Sequence, residues 1–300
     1  MKTTPKSKKS NKAGKVIAII VIVIAACVFC FAGYKIVTIM VNYNESESSY
    51  DNIRKILINP DTPADETETS ESGGSGDEAD TDLPVEYEDE YDEGMTWNYQ
   101  ALLAVNSDTI GYIKARGDGS IVDYPIVQTD NNDYYLDHLF DGTANDAGTI
   151  FMDTRSSLGF DSPYSVIYGH NMKSGSRMFG YIKQYDSEEY YSSHTEYDIY
   201  TANAHYVYKV VSVMEVTTDE LPYTTPLYIY SDSMSEEEID SAIGELAAYV
   251  IYNSKYDTGY KPEDFDHNSH LLTLSTCYDR GQDNRRYIVV LTRDRVVINR

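Results

Sequence analysis

Between Val16 and Tyr34 the chain reads VIAIIVIVIAACVFCFAGY, nineteen residues without one charged side chain. At about 1.5 Å per residue, a helix of that length covers the ~30 Å hydrocarbon layer of a bilayer. The run is longer than the ~7–15 apolar residues of a signal-peptide core, and Tyr34-Lys35-Ile36 lacks the small residues of a cleavage site. It therefore predicts an uncleaved anchor over residues 16–41. Lysines without acids precede it in residues 1–15, and acids follow it. That asymmetry predicts a single-pass type II protein, with a basic cytoplasmic N-terminus and its bulk outside.

The anchor takes two of the three cysteines, Cys27 and Cys30, read as lipid-facing or packing residues rather than a redox pair. Cys277 is then alone outside the membrane, so no disulfide can form within that part and its fold must rest on a core. The net charge of -25 comes with no Lys/Arg cluster beyond the anchor, which argues against a nucleic-acid partner.

After the anchor, SSYDNIRKILINP predicts a short juxtamembrane helix within 42–60, with Ile53, Ile56 and Leu57 at helical spacing and Pro60 ending it. Residues 61–95 are acidic, rich in Ser, Thr and Gly, and without apolar periodicity. They predict a disordered linker, extended by its own charge. A catalytic domain is expected over 96–300. TWNYQALLAVN predicts its first helix, carrying Trp97, Leu102, Leu103 and Val105. Short β-branched and aromatic runs follow, separated by Gly, Asn and Asp clusters: TIGYIKA, YPIVQT, GTIFMD, YSVIYGH, HYVYKVVSVMEV, HLLTLSTC and RYIVVLTRDRVVI. NNDYYLDHLF predicts a helix. SEEEIDSAIGELAAYVIYN predicts the clearest one, N-capped by Ser235, with Ile239, Ile243, Leu246 and Val250 on one face. The pattern predicts a mostly β fold, a mostly antiparallel closed barrel with inserted helices.

Cys277 ends an apolar strand in HLLTLSTC and is followed by the polar loop YDRGQDN and two arginines. A buried cysteine is ordinarily a small hydrophobe, whereas a lone cysteine joined by a distant histidine is a candidate nucleophile. Such a nucleophile needs a base or cationic partner and a donor for the oxyanion. Of the six histidines, His194 and His205 read as surface residues in tyrosine-rich stretches, and His267 and His270 as turn residues. His170 ends the strand YSVIYGH and opens a Gly- and Ser-rich loop, a position that suits a base; His138 is the other candidate. A hairpin after Cys277 would set Arg286, Ile288 and Val290 on one face of the returning strand. If that face meets the core, Arg286 points inward and can hold an oxyanion; otherwise it is a rim arginine. No spacing of His, Cys or acids predicts a metal site, and no cofactor is expected.

LSTC, an arginine a short loop later before YIVV, and YGHN upstream together resemble the sortases, membrane-anchored cysteine transpeptidases of Gram-positive bacteria. DNNDYYLDHLFDGTANDAGTIFMD, IYGHNM and the long helix before the Cys strand resemble class B, from Trp97 onward. The resemblance implies a closed eight-stranded β-barrel, with an N-terminal helix and a long helix inserted before the Cys-bearing strand. It implies His170, Cys277 and Arg286 as catalytic residues. Cys277 would attack the Thr carbonyl of an NPxTN-like motif in a secreted protein, His170 would protonate the leaving amine, and Arg286 would steady the oxyanion or bind the substrate backbone. The thioester would pass to an amine of the peptidoglycan cross-bridge or its lipid-linked precursor. Asn132, Leu136, Tyr168, Ser275 and Thr276 match substrate-groove positions, with Thr224, Tyr228 and Ile229 in TTPLYIYSD. A surface cysteine protease or hydrolase would share Cys277 and His170 but need no amine; a pilin-polymerising sortase would take a lysine as its amine.

Overall fold

The computed structural model describes residues 12–58, 83–88, 98–117, 122–172, 178–229, 234–277 and 284–299. In chain order the elements are α1 (Lys12–Ile58), β1 (Val85–Glu88), α2 (Tyr99–Val105), β2 (Thr109–Ala115), β3 (Asp123–Val127), β4 (Phe151–Met152), β5 (Tyr164–Tyr168), α3 (Glu188–Ser193), β6 (Glu196–Tyr200), β7 (His205–Thr217), α4 (Leu221–Thr224), α5 (Glu236–Tyr252), β8 (Leu271–Cys277) and β9 (Arg285–Asn299). The chain divides into two compact units, Met1–Glu47 and Ser48–Arg300.

The first unit holds most of α1. Among the described residues it is the one helix long and apolar enough to cross a membrane. The sequence predicts two helices here, over 16–41 and 42–60, but α1 is continuous: VNYNESESSY contains neither Gly nor Pro to break it. In the second unit the end of α1 buries Tyr50, Ile53 and Leu57, all at 3% exposure or less. These positions lie three and four residues apart, on one face. Ile56 is half-buried.

The second unit is the barrel. Hydrogen-bonded neighbours run β9-β7-β6-β2-β3-β4-β5-β8, and β8 pairs back to β9, closing eight strands. Most pairs are antiparallel, but β3–β4 and β5–β8 are parallel. Strand β1 adds a further parallel partner, Val85 opposite Val296 through Glu88 opposite Asn299. Part of the stretch expected to be disordered over 61–95 is thus a strand. VEYE has β alternation, and the end of β9 offers unpaired backbone groups. Residues 59–82 and 89–97, including Trp97, lie outside the described residues.

α2 is two turns long, N-capped by Asn98, whose Oδ1 accepts from Ala101 N at 3.0 Å. Of its expected apolar face only Leu102 is fully buried, and Val105 is exposed. NNDYYLDHLF makes a single 3-10 turn, Tyr134–Leu136, where a helix was expected. Asn131 accounts for the difference: its Oδ1 accepts from Asp133 N and Tyr134 N, a local turn that competes with a longer helix.

Two cores result. Alternation along β9 sends Tyr287, Val289 and Leu291 to one, with Leu272, Leu274 and the end of α1. Ile288 and Val290 go to the other, where Ile239, Ile243, Leu246 and Val250 of α5 meet Tyr164 and Val166. The face shared by Arg286 and Ile288 therefore does meet a core, but the one beneath α5. α5 begins with a full capping box between Ser235 and Glu238, and three glutamates in its first turn oppose the helix dipole favourably.

β6 has no counterpart among the expected strands, because its sequence EYDIY carries a buried acid at its centre. Asp198 is 5% exposed, accepts from Arg116 Nε at 2.8 Å, and meets His205 Nε2 at 2.8 Å. His205 is therefore a barrel residue rather than a surface one. The same correction applies to His194, 5% exposed and stacked on the Tyr190 ring at 3.9 Å. Burial of rings and ion pairs overrides the polarity of the local sequence.

Candidate active site

The parallel pairing of β5 with β8 does what a hairpin could not: it brings the C-terminal ends of two strands distant in sequence to the same rim. Tyr168 is opposite Ser275, and Gly169 N donates to Ser275 O at 3.1 Å. Both strands leave there, β5 toward His170 and β8 at Cys277. Antiparallel β9 starts at the same rim, with Arg286 opposite Cys277. Three strand ends so converge, although 107 residues separate Gly169 from Thr276, whose hydroxyl donates to the Gly169 carbonyl at 2.8 Å. The side chain of Cys277 lies outside the described residues.

A cleft of ≈ 260 Å³ opens beside this rim. It brings together Asn132, Leu136, Tyr168, His170, Ser275, Thr276 and Arg286 of the residues singled out in the sequence. His138 is not among its lining: Nδ1 is 2.7 Å from Asp137 Oδ1, and the ring stacks on Tyr134 at 4.1 Å. Thr224 is exposed and also lies off the cleft, its hydroxyl donating to the Glu220 carbonyl at 3.2 Å. The side chains of Tyr228 and Ile229 lie outside the described residues.

Sequence reasoning missed Thr149, Phe151, Gly169, Thr218 and Tyr223, which complete the lining. Tyr223 is the most informative. It stands one residue before Thr224, on the buried side of α4, and its hydroxyl is 2.6 Å from Ser275 Oγ. The apolar-polar pattern of LPYT in a four-residue helix is too short to reveal that face.

The floor is braced by a buried carboxylate. Asp153, its side chain fully buried, accepts from Tyr168 OH at 2.8 Å and from Arg155 at 2.6 and 3.0 Å. Burial alone would raise the Asp153 pKa, but the hydrogen bonds from Arg155 and Tyr168 prevail and hold it below its ordinary value. Asn132 Oδ1 accepts from Thr154 N at 3.0 Å, tying the opposite wall to the same segment.

The two adjacent arginines diverge. Arg285 forms an ion pair with Glu215 on β7, while Arg286 lines the cleft. The imidazole of His170 is half-buried, with Nε2 2.6 Å from the Leu136 carbonyl oxygen. The backbone of Cys277 thus ends at the same rim as His170 and Arg286; a thiol, an imidazole and a guanidinium are the groups acyl transfer requires. Among the described residues, no three His, Cys, Asp or Glu side chains gather as metal ligands.

A family model described as the sortase domain matches residues 112–294. The chain is 28% identical over 186 residues to the sortase B of Listeria monocytogenes, covering 60% of this chain and 69% of that protein. It is 25% identical over 203 residues to the sortase B of Staphylococcus aureus, covering 68% of this chain and 77% of that one. Among solved structures, Clostridium perfringens sortase B superposes with a TM-score of 0.53 at 27% identity, covering 65% of this chain and 98% of that one. Bacillus anthracis sortase B gives 0.52 at 30%, covering 66% and 84%.

Proposed function

Because the chain belongs to the sortase family, in its class B, we propose that Cys277, His170 and Arg286 are its catalytic residues and that the cleft beside them receives the sorting peptide. The protein is a cysteine transpeptidase that cleaves sorting motifs and anchors proteins to the cell wall. Its N-terminal helix is compatible with a single-pass membrane anchor.

The observation that carries the residue assignment is the register: β5 and β8 leave the barrel side by side, and Arg286 stands opposite Cys277. Cys277 attacks the Thr carbonyl of an NPxTN-like motif, the S–C bond forms, and the C–N bond breaks as His170 protonates the leaving amine. Arg286, with its fixed fork of donors, binds the oxyanion or the adjoining backbone. The thioester retains the acyl group for an amine of the peptidoglycan cross-bridge or its lipid-linked precursor. Asn132, Leu136, Tyr168, Ser275 and Thr276 hold the peptide, joined by Tyr223 and Thr218. The lysines before the anchor orient the N-terminus to the cytoplasm and the catalytic unit outward.

The test uses the full chain in detergent, wild type and Cys277→Ala, with a library of sorting-type pentapeptides, with and without short amines, read by mass spectrometry. An amide product requiring both Cys277 and the amine supports the assignment. Amide formation that survives Cys277→Ala, or hydrolysis indifferent to amine, refutes it.

A further inference from the structure

His170 is held at three points, and one is a place where a side chain is missing. Its carbonyl accepts from Gly180 N at 3.1 Å, which seats the backbone. Its ring meets the Leu136 carbonyl at 2.6 Å through Nε2. Beside that contact lies Gly148, at φ +63, a left-handed conformation that suits glycine. A Cβ there would run into the Tyr135 carbonyl, come within 2.9 Å of the Leu136 carbonyl oxygen, and lie 3.1 Å from Cδ2 of His170. The carbonyl and the ring approach as closely as they do because position 148 has no side chain. Gly148 is braced in turn from the end of α1, where the buried Tyr50 hydroxyl donates to the Gly148 carbonyl at 2.8 Å.

A carbonyl oxygen only accepts, so the Nε2 facing it carries a hydrogen. We propose that Gly148, braced by Tyr50, and the Leu136 carbonyl form a positioning cradle that fixes His170 as the Nε2-protonated tautomer and reserves Nδ1 for proton transfer. This rests on the reading of His170 as the proton-transfer residue. In acylation Nδ1 takes the proton of the Cys277 thiol as the S–C bond forms and passes it to the leaving nitrogen as the C–N bond breaks, leaving a neutral imidazole that still donates from Nε2 to Leu136. The ring then neither flips nor changes its anchor through the cycle. The tautomer is set by the partner of the other nitrogen, here a backbone group that no side-chain substitution in the cleft would remove.

The experiment is a two-bond ¹H–¹⁵N correlation of the histidine rings in the full chain in detergent micelles, above the pH at which the rings are charged, with His170 assigned by its loss in His170→Gln. The expected pattern is the Nε2–H tautomer; an Nδ1–H pattern or an even mixture overturns the proposal. Tyr50→Phe, which keeps the buried ring, is expected to lower kcat a few-fold with KM unchanged. Gly148→Ala is expected to lower kcat roughly 10- to 100-fold, with KM within about 3-fold, and to mix the tautomers. If Gly148→Ala does not fold, the wild-type spectrum and Tyr50→Phe still decide. A folded Gly148→Ala with unchanged kcat and tautomer overturns the proposal. Transpeptidation that survives His170→Ala would remove the catalytic reading of His170 while leaving the tautomer result standing.

Discussion

Tyr168 and Asp153 meet beneath the cleft, the phenol donating to a fully buried carboxylate that also receives Arg155. Burial and the charge on Asp153 push the Tyr168 pKa well up, so the phenol remains a donor across the working range. The floor of the cleft therefore rests on an ionic pair, although Phe151, Tyr168 and Tyr223 are among the residues that line it.

Removing that carboxylate takes from the Tyr168 hydroxyl its acceptor and from Arg155 one of its partners. Because Arg155 stays in reach of water, Asp153→Ala is expected to lower stability by about 1–3 kcal/mol, chiefly through the orphaned Tyr168 hydroxyl. The pH sign follows from the depressed pKa. The stabilisation is complete above the ordinary carboxyl value near 3.8, and is lost as pH falls through the lower folded value. Thermal melts of wild type and Asp153→Asn should differ at pH 7 and converge in acid.

The divergence of Arg285 and Arg286 predicts opposite outcomes for neighbouring substitutions. Arg286→Ala should lower kcat/KM by roughly 10²–10³, the usual cost of an oxyanion donor. Arg285→Ala removes a half-exposed pair with Glu215, costs about 0–1 kcal/mol, and should leave turnover within a few-fold. Steady-state kinetics on the same peptide and amine check both.

α5 holds the second core in place. Leu246 is fully buried against it, so Leu246→Ala should cost about 2–5 kcal/mol. Differential scanning calorimetry of the folded chain would register this as a lower melting temperature.

His267 lies in the turn before β8 and meets Asp240 of α5 through Nδ1 at 2.9 Å. The hydrogen bond to Asp240 raises the His267 pKa above its ordinary 6.5. Its stabilising effect is present below that value and fades as pH rises through the folded one. Histidine NMR titration of wild type and Asp240→Asn should show the value fall in the variant.

What was legible in the sequence was whatever rested on local pattern. α5 announced itself by its cap and its 3.6-residue stripe, and Ile239, Ile243, Leu246 and Val250 are buried as that stripe requires. The β8–β9 hairpin could be read from two apolar runs and a polar loop. The β5–β8 pairing could not: no local signal tells a strand that its parallel partner is about a hundred residues away. β6 was hidden because its central Asp198 is buried, held by His205 of the next strand and by Arg116, 82 residues away in sequence. The cleft was half-visible. Residues beside the strand ends were found by motif, whereas Tyr223 faces Ser275 by virtue of a helix too short to show periodicity.

β1 changes the meaning of the acidic stretch in front of it. Ile58 ends a helix whose last turns are packed into the catalytic unit, and Val85–Glu88 is hydrogen-bonded to that same unit through β9. The unit that carries Cys277 therefore includes chain well before the stretch expected to start it at residue 96. A chain cut at residue 96 would lose the buried Tyr50, Ile53 and Leu57 and the parallel strand beside β9, and with them part of its own core and sheet.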